Sequence, residues 1–263
     1  MPSSTASRGT VPVAQEKVLV ARSGNRCAYP SCGVELVVEA HHQDDRPKAV
    51  GKVAHIAAAS AGGPRFDPDM TPQQRGSARN LIYLCGTHHD AIDSQLALHT
   101  RAFLVEAKTA HERLVANAMR RAMGDVTYKE LNLVCQVIVH NVEAISIEST
   151  DLPLPVEEKI VLNALGEATT ERITEGLAQA YRVADFIAFQ NKYDSKFGRS
   201  LVARMKADYF TALSEGLAPD EVFDYIVEVA NENAGIRDTE VTRAAAVAVV
   251  AHVFELCEIF ERA

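Results

Sequence analysis

Asn80-Leu81-Ile82-Tyr83-Leu84-Cys85-Gly86-Thr87-His88-His89-Asp90-Ala91-Ile92-Asp93 decides how the front of this chain is read. Cys85 and His88 are three residues apart around Gly86, which permits a tight turn. Far upstream, Arg26-Cys27-Ala28-Tyr29-Pro30-Ser31-Cys32 offers a second pair of soft ligands, next to Pro30 and Gly33. Zinc takes four such ligands in a tetrahedron, and two turns distant in sequence can supply two each. Cys27, Cys32, Cys85 and His88 fit that demand. His89 is then left over, and Asp93 stands one helical turn beyond it on the same face. An i, i+4 imidazole and carboxylate can hold a second divalent cation with positions open to water. Between the clusters, Ala54-His55-Ile56 completes a His-Asn-His series with Asn80 and His89.

These residues resemble the HNH endonucleases of the ββα-metal fold, in particular the bacterial antiphage-defence type, from about Arg22 to about Val115. The likeness is carried by C-x4-C, by Ala-His-Ile followed by Gly62-Gly63-Pro64-Arg65, by Asn80-Leu81-Ile82-x-Leu84-Cys85-x-x-His88-His89, and by Lys108-x-x-His111-Glu112. It implies metal-dependent hydrolysis of phosphodiesters in double-stranded DNA. His55 would be the general base, because a neutral imidazole near pH 7 accepts a proton from an attacking water. Asn80 would orient the strand bearing His55. His89 and Asp93 would hold Mg²⁺ or Mn²⁺, and the Cys₃His set a structural Zn²⁺. One departure stands out: the family places an acid or a histidine directly before the base, and this chain has Ala54. The catalytic cation would then have fewer protein ligands, or would borrow one from His41, His42, Asp44 or Asp45. The alternatives are a non-catalytic zinc-stapled module that binds DNA or protein, and a nuclease that prefers RNA.

The net charge of −8 conceals an asymmetry. Residues 1 to 123 carry 15 Lys and Arg against 11 Asp and Glu, while the remainder carries 12 against 24. The front, at +4, can approach a polyanion; the rear, at −12, should avoid one. Lys52, Arg65, Arg75 and Arg79 flank the site and are the expected nucleic-acid contacts, with Arg46 and Lys48 nearby. Five cysteines, an odd number, with three in ligand spacing, argue for thiolates in a reducing compartment over disulfides. The most apolar run, Ala244 to Phe254, is far short of the roughly 20 residues a membrane helix needs. The expectation is a cytoplasmic protein without membrane contact.

Along the chain, residues 1 to 15 read as a flexible leader, 16 to 123 as the nuclease domain and 124 to 263 as a helical oligomerisation, regulatory or docking domain. The fold class expected is α+β, with a ββα-metal unit before an all-α one. Short strands are expected at Val18-Leu19-Val20, Val34 to Ala40 and Lys52 to Ile56. A loop rich in glycine and proline spans Ala57 to Arg79. A helix should begin near Thr87 or His88, and a longer one after Thr100 with Leu104, Ala107, His111, Leu114 and Ala118 on one stripe. Thr127-x-x-Glu130 is a capping box that opens a rear domain. Its helices are expected at 131–147, 156–165, 171–191, 200–213, 219–233 and 239–261. Val222, Phe223, Ile226, Val227 and Ala230 form an apolar face with acids opposite.

Ala244 to Phe254 contains no Asp, Glu, Lys or Arg, so it must be buried in its own domain or against a partner. The ending Val253-Phe254-Glu255-Leu256-Cys257-Glu258-Ile259-Phe260, together with Pro219-Asp220-Glu221-Val222-Phe223-Asp224-Tyr225-Ile226, resembles the C-terminal domains of bacterial ABC three-component defence systems. That likeness implies a partner protein, with an SMC-like ATPase and a small middle component as candidates, alongside a homo-oligomer.

Overall fold

A computed structural model of the chain describes residues 11–40, 42, 46–140, 154–232, 239–256 and 260. They are mostly helical with few strands. The chain divides into two compact units, Met1–Ala116 and Asn117–Ala263. The expected leader lies largely outside the described residues, as do the helix ends expected at 141–147 and 257–259.

The first unit opens with α1 (Val13–Ser23), where Pro12 precedes the first turn and Gly24 ends the helix in the left-handed conformation. Gly24 has a second reason to be glycine, since a Cβ there would come within 2.9 Å of Val115 Cγ1. Val18-Leu19-Val20 is therefore helix and not the expected strand. Val18 and Leu19 are buried as neighbours on the inner face of α1, which the β-branched Val18 and Val20 do not prevent once tertiary packing favours it. The strand expected from Val34 to Ala40 contracts to β1 (Val37–Val38), paired antiparallel with β2 (Lys48–Ala49).

The central feature is an antiparallel hairpin of β3 (Lys52–His55) and β4 (Leu81–Leu84), in register Lys52↔Leu84 to His55↔Leu81. Every residue of β4 is buried, as a strand covered on both faces must be. The long connection between them contains α2 (Pro72–Gly76), whose Thr71 and Gln74 form a reciprocal capping box. Immediately after β4 comes α3 (Gly86–Ser94), then α4 (Arg101–Ala122). On α4 the buried stripe runs through Leu104, Ala107, Val115, Met119 and Ala122. Leu114, expected inside, is exposed, because it stands one residue off that stripe.

The second unit is helical: α5 (Tyr128–His140), α6 (Val156–Leu162), α7 (Glu167–Leu177), α8 (Ala180–Gln190), α9 (Phe197–Ser214), α10 (Pro219–Glu232) and α11 (Glu240–Leu256). Glu130 accepts from the Thr127 N–H at 3.1 Å, as the capping pattern requires. The helix expected at 171–191 is two, broken between Leu177 and Ala180. Residues Thr242 to Phe254 of α11 are buried and packed by α5, α7, α8 and α10. The approach of α7 is close enough that a Cβ on Gly176 would lie 2.6 Å from Ala251 Cβ. The uncharged helix is thus covered by its own unit, and its apolarity does not supply a surface for assembly. Three acids of α10, Glu221, Asp224 and Glu228, are also buried: Asp224 pairs with Arg172, and Glu228 with Arg243 at 3.0 Å.

Candidate functional site

Cys27 and Cys32 sit on a tight turn in which Cys32 N–H donates to Tyr29 O and Gly33 N–H to Cys27 O. Cys85 precedes α3 and His88 lies in its first turn. The ligand atoms of Cys27, Cys32, Cys85 and His88 all fall within 4.8 Å of one another. His88 Nδ1 is 3.2 Å from Cys85 Sγ and 3.6 Å from Cys27 Sγ. A tetrahedral zinc with usual bond lengths sets an S···N separation of about 3.5 Å, so the four residues fit that ion. Burial pushes the Cys27 thiol up to about 12, a cost that a cation among the sulfurs would reverse. Cys85 N–H, donating to Cys27 Sγ at 3.3 Å, suits a thiolate acceptor. Among the described residues this is the one set of three or more Cys, His, Asp or Glu side chains gathered as metal ligands.

Two residues to which the sequence assigns no role frame this cluster. The Tyr29 ring stacks on His88 with centroids 3.9 Å apart and planes within 4°. Its hydroxyl meets His99 Nε2 at 3.0 Å, while His99 Nδ1 meets Gln95 O at 3.1 Å. An Nδ1–H given to that carbonyl makes Nε2 the acceptor of the Tyr29 proton. The aromatic residue inside C-x4-C was the available signal for Tyr29; His99 had none.

His55 ends β3 and is half-buried, and that burial holds its pKa below the ordinary imidazole value, with Asp93 acting in the opposite direction. Asn80, only 5% exposed, accepts from the Ala57 N–H at 2.9 Å and donates to Ala57 O at 2.8 Å and Arg75 O at 2.9 Å. Its own carbonyl accepts from Ile56 N–H at 2.8 Å. The backbone just after His55 is therefore clamped on both sides. Ala54 is buried, and strand alternation turns it to the face opposite His55.

His89 Nδ1 lies 3.3 Å from Asp90 Oδ1, which in the donating tautomer leaves Nε2 as a free electron pair. Asp93 is 47% exposed, with Oδ1 2.8 Å from Arg65 Nη2. One imidazole nitrogen and one carboxylate oxygen remain as donors. That is a sparse set, and it suits a cation such as Mg²⁺ or Mn²⁺ that keeps most of its water. Of the residues considered as replacements for the missing acid, His42 is exposed, and His41, Asp44 and Asp45 lie outside the described residues.

The four basic residues expected to meet nucleic acid divide. Lys52 and Arg79 are exposed. Arg75 folds back within its own loop, with Nη1 toward the carbonyls of Asp67 and Met70 and its guanidinium over the Phe66 ring. Arg65 has its guanidinium enclosed by protein acceptors.

A strand hairpin and helix joined at a Cys₃His cluster, followed by a separate helical unit, define a two-part chain in which that cluster is the converging set of metal ligands among the described residues. Residues 129–261 match the family of the C-terminal domain 10 of the ABC-three component (ABC-3C) systems, and the chain belongs to that family. Membership implies a multi-component system with partner proteins and points to a role in antiphage defence. No curated protein matches the chain. No helix among the described residues is long and apolar enough to cross a membrane.

Proposed function

We propose that the front unit is a zinc-stapled HNH endonuclease of the ββα-metal type acting on double-stranded DNA, and that the rear unit couples it to the other components of its defence system. The observation that carries this reading is the juxtaposition around the hairpin. His55 ends β3, Asn80 clamps the residue two beyond it, and α3, which follows the paired strand β4, bears His89 and Asp93.

In this reading Cys27, Cys32, Cys85 and His88 hold Zn²⁺, which joins the turn at Cys27–Cys32 to the start of α3. His89 and Asp93 hold Mg²⁺ or Mn²⁺, which when bound supplies positive charge for the scissile phosphate and the leaving oxygen. His55, kept neutral by burial, takes the proton of the water that attacks phosphorus. The bond to the 3′ oxygen breaks, leaving 5′-phosphate and 3′-hydroxyl ends. Asn80 holds the backbone after His55 so that the imidazole does not swing as charge develops on it.

The alternative is a non-catalytic zinc-stapled module, favoured by two facts: the position before His55 is the apolar Ala54, and Asp93 is already paired with Arg65. Purified protein incubated with plasmid DNA and with single-stranded RNA, in Mg²⁺ or Mn²⁺ and beside His55→Ala, separates the readings. Cleavage of plasmid that disappears in His55→Ala supports the nuclease. Intact nucleic acid under all conditions supports the binding module, and cleavage confined to RNA changes the substrate.

A further inference from the structure

We infer that Arg65 is a positioning residue that locks the end of the His55 strand to the last turn of α3, and that it is not a phosphate contact. Its side chain is 8% exposed and bonds to three separate segments. Nε donates to Ile56 O at 2.8 Å. Nη1 donates to Ile92 O at 2.7 Å and His99 O at 3.4 Å. Nη2 donates to His55 O at 3.4 Å and Asp93 Oδ1 at 2.8 Å. Guanidinium has five N–H groups, and five protein acceptors face them. No donor remains to form the paired bonds by which arginine grips a phosphate.

The acceptors explain why an arginine is buried here. Ile92 O belongs to the last turn of α3, whose carbonyls have no partner within the helix. Asp93 places negative charge at that same end, where the helix dipole opposes it. A cation with a rigid fork answers both at once, and lysine, with three donors on a compact ammonium, cannot. The backbone turns to deliver this side chain inward. Arg65 adopts φ 57, a left-handed conformation uncommon for a residue with a side chain, and Pro64 O accepts from Ala58 N–H at 3.1 Å. The catalytic consequence rests on the nuclease reading. Because His89 lies one turn before Asp93 on α3, tying that helix end to the His55 carbonyl fixes the base relative to the cation ligands.

The test uses full-length wild type and Arg65→Lys, with Arg65→Gln as a second variant that keeps amide donors without the charge. Three quantities are measured: plasmid cleavage as kcat and KM, DNA affinity against salt without added Mg²⁺ or Mn²⁺ and without chelator, and amide hydrogen exchange of peptides spanning 52–57 and 90–96. We expect kcat to fall about 10- to 100-fold, as when a supporting partner of a metal ligand is lost. KM and the salt slope should hold, while exchange quickens in both peptides. A phosphate contact would behave oppositely: Arg65→Gln would lower the slope of log affinity against log salt by about 0.9 and spare kcat, and Arg65→Lys, which keeps the charge, would leave both near wild type. That result overturns the inference, and so does unchanged exchange in the two peptides. Wild type that never cuts DNA, with faster exchange in the variants, refutes the nuclease and leaves the lock standing.

Discussion

Replacing Asn80 with alanine removes three side-chain hydrogen bonds from a nearly sealed site, two to Ala57 and one to Arg75 O. A buried hydrogen bond contributes about 1 kcal/mol net, and an abandoned buried N–H or C=O costs about 1–3 kcal/mol. Three such bonds put the loss near ~3 kcal/mol. The chain has no tryptophan, so native-state hydrogen exchange is the better probe. About 3 kcal/mol corresponds to roughly 100-fold faster exchange at the Ala57 amide, given about 1.4 kcal/mol per factor of ten. Asn80→Asp sharpens the test. Its carboxylate keeps one acceptor for the Ala57 N–H but turns the other oxygen toward two carbonyls, so its folded pKa should rise above the unfolded value. The stability of that variant should therefore be greatest at low pH and be lost as pH climbs through the raised pKa. Exchange at Ala57 in Asn80→Ala within threefold of wild type, or an Asn80→Asp protein that gains stability with rising pH, sinks the clamp.

Cys27→Ser and Cys85→Ser should give protein that is insoluble or rapidly proteolysed in its front unit, and elemental analysis of folded wild type should find tightly held zinc; its absence refutes the Cys₃His assignment. His55→Ala should abolish cleavage while DNA affinity and folding stay near wild type, and cutting at the wild-type rate would remove His55 as the base. Because burial lowers the His55 pKa, the acid limb of the cleavage profile should lie below the ordinary imidazole value of about 6.5; a limb above it counts against this histidine. By the same sign, the half-buried rings of His55 and His111 and the buried ring of His252 make the fold less stable as pH falls from about 6.5 through their lowered pKa values, measurable as a falling Tm. Val249→Asp should unfold the rear unit outright, since Val249 is fully buried on α11. A soluble, helical Val249→Asp protein that loses only a partner would restore the view of α11 as an assembly surface.

The metal cluster was legible because its ligands are rare residue types at fixed intervals, and four of them at those intervals leave few other arrangements. The rear helices were legible for a different reason, their long apolar periodicity, though where one helix becomes two near Leu177 was not. Val18-Leu19-Val20 misled because three apolar residues satisfy a strand and a buried helical face alike. Leu114 misled because a stripe read every third or fourth residue drifts off the true face over 22 residues. Asp224 and Glu228 of α10 looked like part of an outer face until Arg172 and Arg243, 52 and 15 residues away in the chain, came to meet them. Pairings at such range leave no periodic trace.

Arg65 and Arg79 show the harder limit. Both are basic, both lie near the site in sequence, and a count of charge treats them alike. One is exposed, while the other spends its fork on carbonyls from β3, the segment after it and the end of α3, together with Asp93. What separates them is a left-handed turn at Arg65 after Gly62-Gly63-Pro64, which carries that side chain inward. Asn80 repeats the pattern, because its amide serves Ala57 and Arg75 backbone and not a ligand. Polar residues of a motif thus divide into those that face a substrate and those that hold the frame. The division follows from where unpaired backbone groups lie, at a strand end and a helix end. A motif residue beside such an end should be tested first as a partner of the backbone, and counted as a substrate contact only when donors are left over.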